Sequence, residues 1–252
     1  MKIRLDMLLV ERGLAESRTR AQALIMEGKV RVGGQVELKA SRSLDDSAAI
    51  EVEAPPRFVS RGGEKLEGAF LKFGEGSGVE PPLCAKGCIC LDVGSSTGGF
   101  TDCLLQYGAE YVMSVDVGTN QLAYKLRSDP RVWVRENFNA RYMTPADLPK
   151  VPSVAVTDVS FISLRLILPP IRDVLAPGGL VVALIKPQFE VGKGNAPGGL
   201  VRDDLLRLEA RDGIVRFAID ELGLELLGLG ESPIRGREMG NIEYLSYWRK
   251  PQ

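Results

Sequence analysis

The chain contains no histidine. That absence removes imidazole bases, Ser-His-Asp triads and histidine-ligated metals, and leaves proton chemistry near neutral pH to lysine, cysteine, tyrosine or carboxylates. Cysteine is scarce: Cys84, Cys88, Cys90 and Cys103 are the only four. Cys88 and Cys90 belong to an apolar, strand-like run and no second ligand pair occurs elsewhere. The cysteines therefore read as small core residues, and no metal is expected. No run reaches the roughly 18 apolar residues of a membrane helix, and the opening Met1-Lys-Ile-Arg-Leu-Asp6 has no apolar signal core. These absences predict a cytoplasmic protein with reduced thiols and no membrane partner. Net charge is also lacking, at -1, which by itself favours no polyanionic partner. It conceals a local excess. Residues 1–42 carry nine Lys and Arg against five Asp and Glu, a basic patch that suits either phosphate contact or a solvated face.

The most informative segment present is Leu91-Asp-Val-Gly-Ser-Ser-Thr-Gly-Gly-Phe-Thr101. The preceding apolar run, Cys88 to Val93, reads as a buried strand, and a glycine turn then opens an amphipathic helix. Gly94, Gly98 and Gly99 do not fit the G-x-G-x-x-G dinucleotide spacing, and Phe100 stands where a phosphate-gripping loop needs lysine. A second acid, Asp116, ends the next strand, Tyr111 to Asp116. Two acids beside a glycine turn suit a cofactor with an amino-acid moiety, a ribose diol and no phosphate, and S-adenosylmethionine (AdoMet) has all three attributes. Gly94, Ser95, Gly98, Gly99 and Phe100 would then approach its methionine end, with Asp92 supporting the amino group. Asp116 would accept from the ribose hydroxyls. The segment Arg135-Glu-Asn-Phe-Asn139, with Asn137, is expected beside the adenine.

The first 53 residues look like a separate α+β unit: two helical stripes ending at Gly13 and Gly28, then short strands joined at Gly33-Gly34. Ala54-Pro-Pro-Arg57 breaks both helix and ladder, so 54–62 reads as a linker and 63–252 as a second domain. Arg4-Leu-Asp-x-Leu-Leu, Ser17-Arg-x-Arg-Ala-x-x-Leu-Ile and Gly28-Lys-Val-x-Val-x-Gly-x-x-Val36 resemble the small RNA-binding domain first named in ribosomal small-subunit protein four. The resemblance implies that Arg4, Arg18, Arg20, Lys29 and Arg31 face RNA phosphates.

From Phe58 onward helices and strands alternate, as a parallel sheet requires. Helices are expected near 63–73, 99–107, 119–127, 164–175 and 203–222. Strands near 224–231 and 242–249 have no helix between them and read as a closing antiparallel hairpin. The fold class expected is α/β, a Rossmann-like AdoMet-dependent methyltransferase sheet, parallel with a terminal antiparallel hairpin, plus the small N-terminal α+β domain. Asp158 and Lys186 close two strands at the carboxyl edge, where such sheets build their sites. Lys65 lies on a helix near that edge and Glu243 on the hairpin's return strand. Taken singly, each reads equally well as a solvated charge.

Together these four resemble the Lys-Asp-Lys-Glu tetrad of FtsJ-type ribose 2′-O-methyltransferases. Ser60-Arg-Gly-Gly-x-Lys-Leu, Asp92-Val-Gly-Ser-Ser-Thr-Gly-Gly-Phe-Thr-Asp102, Asp158-Val-Ser-Phe-Ile-Ser163, Lys186-Pro-Gln-Phe-Glu190 and Gly240-Asn-Ile-Glu-Tyr-Leu245 are similar, in order, to the TlyA family. Membership implies AdoMet-dependent methylation of cytidine 2′-hydroxyls in 16S or 23S ribosomal RNA, with ribosomal RNA or subunits as partner. A lysine with an ordinary pKa near ~10.4 is neutral about once in 2,500 molecules at pH 7. A lysine base therefore needs its ammonium destabilised, and Lys65 facing Lys186, the nearby sulfonium and partial desolvation are together expected to supply this, with Asp158 orienting Lys186 as base and the division of roles between the two lysines left open. The glycine-rich stretch Val191 to Leu200 reads as a lid. Three other readings stand beside this one: a non-catalytic RNA-binding or ribosome-assembly factor, a membrane-active haemolysin, a label the family also carries, and a protein-methylating enzyme on the same fold, which the N-terminal RNA module disfavours.

Overall fold

The computed structural model describes residues 2–54, 56–192, 194–236 and 240–252. The chain divides into two units, Met1–Pro56 and Arg57–Gln252. In the first, β1 (Lys2–Arg4) leads directly into α1 (Leu5–Glu11), followed by α2 (Arg18–Met26), β2 (Val30–Val32), β3 (Gln35–Val36), β4 (Ser43–Asp45) and β5 (Ile50–Val52). Ser17 caps α2 by accepting from the Arg20 N–H at 3.2 Å. Gly33 and Gly34, with φ of +58° and +80°, form the two-residue turn between the paired Val32 and Gln35. Leu5, Leu8, Leu9, Ile25 and Val30 make the core. The antiparallel pair β1–β4 was not anticipated, because three residues are too few to show alternation.

The second unit contains α3 (Gly62–Phe73), β6 (Ile89–Val93), α4 (Gly99–Gln106), β7 (Tyr111–Val115), α5 (Tyr124–Arg127), β8 (Val132–Arg135), β9 (Val154–Thr157), α6 (Leu168–Val174), β10 (Leu180–Ile185), α7 (Asp204–Asp220), β11 (Glu225–Glu231) and β12 (Tyr244–Arg249). Its seven strands run in the order β11-β12-β10-β9-β6-β7-β8. The five from β10 to β8 are parallel, and β12 pairs antiparallel with both β10 and β11. Successive residues point to opposite faces, so the strands sort into two apolar layers. Val154, Val156, Val182, Leu184, Leu245 and Tyr247 pack with α3 and α4, while Ala155, Val181, Ala183, Ile185, Tyr244 and Trp248 pack with α6 and α7. The chain winds one way from β6 to β8 and the other way through β9 and β10. The carboxyl ends of β6 and β9 therefore flank a switch point, where a crevice opens.

Several boundaries differ from the sequence expectation for identifiable reasons. Phe58 is buried in the core with Leu66 and Phe70, so 57–61 belongs to the larger unit rather than to a linker. The helix expected over 119–127 is reduced to Tyr124–Arg127. The Ala123 N–H, which a helix begun at 119 would direct to the Thr119 carbonyl, donates instead to the Thr97 carbonyl at 3.1 Å, and Ala123 itself is extended at ψ 138°. Pro169 and Pro170 supply no N–H, and they occupy the first turn of α6, where none is needed. Cys90 and Cys103 are core residues, whereas Cys84 is exposed and Cys88 half-buried, so the core reading holds for only two of the four.

Candidate active site

Lys65, Asp158, Lys186 and Glu243 converge from four separate segments. Lys65 leaves the buried face of α3, Asp158 follows β9, Lys186 follows β10 and Glu243 precedes β12. The pairing of Ile185 with Tyr244 brings the ends of the last two strands together, one residue short of Lys186 and Glu243. Lys65 Nζ donates to Glu243 Oε2 at 2.7 Å and lies 3.6 Å from Asp158 Oδ2. Lys186 Nζ lies 2.6 Å from Asp158 Oδ1 and donates to Ser160 Oγ at 2.8 Å. Lys65, Lys186 and Glu243 are buried. The two ammonium groups thus do not confront each other. Asp158 stands between them, so the lysine–lysine repulsion expected from sequence is opposed by a carboxylate.

Besides the space that Glu243 lines with Lys65 and Lys186, two cavities meet at Asp158 and Ser160. One, of about 580 Å³, is bounded by Val93, Gly94, Asp116, Val117, Phe138 and Ile162 among others. Its apolar walls suit a flat base. Asp116 accepts from the Ser96 N–H at 2.7 Å and the Gly118 N–H at 2.6 Å, and a carboxylate with two such bonds still has lone pairs for a diol. The second, about 510 Å³, runs past Gly94, Ser95, Gly99 and Phe100 to Lys65, Asp158 and Lys186. Gly94 has φ +81°, and a Cβ there would come 2.9 Å from Val159 Cγ1, so this turn tolerates only glycine. At its foot Asp92 is fully buried, accepts from Thr101 Oγ1 at 2.6 Å, and leaves Oδ1 without a hydrogen-bond partner among the described residues. Burial, with further push from Asp158 and Asp116 against the Thr101 bond, raises its carboxyl to about 7. An apolar slot and a diol acceptor beside a glycine turn fit AdoMet.

Residues 58–250 match the FtsJ-like methyltransferase family, and residues 3–50 match the S4 domain. The chain belongs to the FtsJ-like methyltransferase family. It is similar to the 16S/23S rRNA (cytidine-2′-O)-methyltransferase TlyA of Mycobacterium tuberculosis, 43% identical over 98% of this chain and 90% of the relative. It is also similar to Hemolysin A of Brachyspira hyodysenteriae, 44% identical over 98% of this chain and 99% of the relative. A solved structure from Streptococcus thermophilus, provisionally described as a hemolysin, superimposes with a TM-score of 0.74 at 43% identity, covering 100% of this chain and 89% of its own. The cofactor of this family is AdoMet.

Within this family member, not every residue expected around the cofactor lines a cavity. Gly94, Ser95, Gly99, Phe100 and Asp116 do. Gly98 does not: its φ is +97°, and a Cβ there would strike Leu126 Cδ1 at 2.3 Å, so close helix packing explains the glycine. Asp92 lies beneath the turn on the α4 side. Asn137 turns away with φ +53°, and its neighbours Phe138 and Asn139 line the cavity instead. Sequence reasoning also passed over Ser160, Phe161 and Glu190. Phe161 is 86% exposed at φ +64° and stands beside Phe189, with ring centroids 5.3 Å apart. Glu190 accepts from Ser163 Oγ at 2.5 Å and the Leu164 N–H at 2.9 Å, tying the loop after Lys186 to the loop after Asp158. All three lie inside motifs already quoted, but nothing in their spacing shows which side chains face inward.

The five basic residues expected to face RNA divide into three kinds. Arg4 and Arg18 both bond to Asp6, whereas Lys29 and Arg20 lie 2.7 and 4.0 Å from Glu27, and Arg31 donates to the Gly34 carbonyl. In the expected lid, Asn241 accepts from the Val201 N–H at 3.0 Å and donates to the Gly199 carbonyl at 2.7 Å, pinning the loop's end next to Glu243. Lys193 of that loop lies outside the described residues. No helix among the described residues is long and apolar enough to cross a membrane.

Proposed function

We propose that this protein transfers a methyl group from AdoMet to the ribose 2′-hydroxyl of cytidine in 16S and/or 23S ribosomal RNA. The observation that carries this reading is the convergence of Lys65, Asp158, Lys186 and Glu243, with Asp158 at the meeting of the two cavities and Lys65 and Lys186 lining the second. The names of the similar proteins support the substrate class, and the S4 domain supports an RNA partner.

Bound AdoMet supplies an activated methyl group on a sulfonium whose leaving group is neutral. The side chains then have two tasks, to align the 2′-hydroxyl and to take its proton as the oxygen–carbon bond forms and the carbon–sulfur bond breaks. Lys186, closing β10 and directed by Asp158 and Ser160, is the base: its ammonium first gives up a proton to solvent, and the neutral Nζ then receives the hydroxyl proton. Lys65 and Glu243, hydrogen-bonded to one another, orient the ribose. Gly94, Ser95, Gly99 and Phe100 hold the methionine end, with Asp92 supporting the turn from below, and Asp116 holds the diol. Arg4, Arg18, Arg20, Lys29 and Arg31 contact RNA phosphates and set register without reading bases.

Mapping 2′-O-methyl positions in ribosomal RNA from cells with and without the gene tests the reading. One or more cytidine methylations should vanish with the gene and return with the wild-type copy only. An unchanged methylation map would leave a non-catalytic RNA-binding role instead.

A further inference from the structure

The S4 domain contains a buried carboxylate whose position the reaction does not explain. Asp6, in the first turn of α1, is fully buried, yet it accepts four hydrogen bonds from three side chains. Arg4 grips it with Nε to Oδ1 and Nη2 to Oδ2, both at 3.0 Å. Arg18 Nε reaches Oδ2 at 2.9 Å, and Gln22 Nε2 reaches the same oxygen at 2.8 Å. Both guanidiniums nevertheless remain open to solvent, with side chains 42% and 56% exposed. Among the described residues Arg18 makes no other hydrogen bond, so its two Nη groups are uncommitted.

We propose that Asp6 is a positioning residue for RNA-backbone binding, holding Arg4 and Arg18 as a paired guanidinium fork that receives phosphate oxygens. The proposal rests on the reading that the S4 domain contacts RNA. Two like charges would otherwise separate, and each flexible arginine would lose rotamer freedom on binding. A shared anion beneath them removes both costs in advance. Because that anion is buried, it presents no negative surface to the incoming phosphate. Glu27, the partner of Arg20 and Lys29, is 44% exposed and would repel one. The hydrogen bonds from Arg4, followed by those of Gln22 and Arg18, hold the Asp6 carboxyl far below the usual carboxylate range despite the opposing effect of burial. The clamp is therefore charged at any pH at which the enzyme works.

The test separates positioning from charge. Asp6→Asn raises the net charge of the domain by one, so a purely electrostatic surface would bind RNA more tightly. Positioning predicts the opposite. Binding of the full-length protein to 16S and 23S rRNA transcripts should be measured over a series of salt concentrations, with thermal melting as the folding control. We expect Asp6→Asn to weaken binding about tenfold and to flatten the salt dependence, since a lost phosphate contact lowers its slope by about 0.7 to 0.9. Arg18→Lys keeps the charge, is exposed enough to fold, and removes the Nε grip; it should weaken binding in the same direction. Arg18→Ala should then cost less in the Asp6→Asn background than in the wild type. Wild-type affinity and slope in folded Arg18→Lys, or tighter binding by folded Asp6→Asn, would overturn the fork while leaving RNA binding intact. If the wild type binds neither transcript, the RNA-contact reading falls, and the fork falls with it.

Discussion

The two charge clusters of this protein are built inside out relative to each other. In the methyltransferase unit the cations are buried: Lys65 and Lys186 are each held by carboxylates below the surface. In the S4 domain the anion is buried, and Arg4 and Arg18 spread over Asp6 toward solvent. Burying a cation is costly unless it is matched, so such a site is kept where chemistry needs a dry, aligned group. Burying the anion costs less here because four donors satisfy it, and what reaches solvent is an ordered positive surface. The first arrangement suits a reaction and the second suits a grip on a polyanion.

The contrast breaks most sharply at Lys186. Replacing it with alanine should lower methyl transfer by about 10²- to 10⁴-fold, the usual contribution of a positioned general base, while AdoMet affinity by calorimetry stays near wild type. Near-wild-type turnover would move the base elsewhere, and a pH–rate profile of Lys65→Ala would show whether Lys65 is that group. Next in size is Glu243→Ala. It leaves the buried Lys65 with only the more distant Asp158, and removing one partner of a buried pair costs on the order of 3–5 kcal/mol. Urea unfolding should show that loss, and Lys65→Met in the same chain should restore part of it. Full additivity of the two changes would mean that the pair is not energetically coupled.

The strands bearing these groups were legible from sequence because they are short, nearly unbroken apolar runs with Asp92, Asp116, Asp158 and Lys186 at or beside their ends. What eluded sequence was direction within the loops. Asp158 stands between the two lysines rather than behind one of them, a consequence of β9 lying beside β10 in the sheet. Phe138 and Asn139, not Asn137, face the cavity, because Asn137 is turned at positive φ with its N–H bonded to the Gly118 carbonyl. The loss of helix over 119–123 goes with the Ala123 N–H bonding to the Thr97 carbonyl, a residue beyond the reach of any local periodicity. Such loop directions come from bonds between distant segments, and a single sequence records neither partner's position.

Asp92 offers a smaller, pH-dependent effect. Its folded-state carboxyl is raised to about 7, so as pH climbs from about 4 toward 7 the unfolded chain ionises here while the folded chain stays protonated. The stability this group contributes is complete below the unfolded value and is lost as pH rises through the folded one. Asp92→Asn should therefore gain on the wild type with increasing pH across that window, by at most on the order of 4 kcal/mol. Unfolding free energies at pH 5 and pH 8 measure it, and a mutant-minus-wild-type value that falls from pH 5 to pH 8 would refute the sign.

The smallest effect is expected at Asp116, where the larger cavity is tested without touching the lysines. Asparagine there keeps one acceptor but presents an N–H to a site that already faces the Ser96 and Gly118 N–H groups. One of those bonds and one ribose contact should be lost together, raising the AdoMet dissociation constant about tenfold, or about 1.4 kcal/mol. Turnover at saturating cofactor should change little, because Asp116 lies on the diol side and touches no reacting atom in the proposed arrangement. A variant that lowers kcat and leaves AdoMet affinity unchanged would instead place the transferred methyl beside Asp116. The 580 Å³ cavity would then be the RNA side of the enzyme rather than the cofactor side.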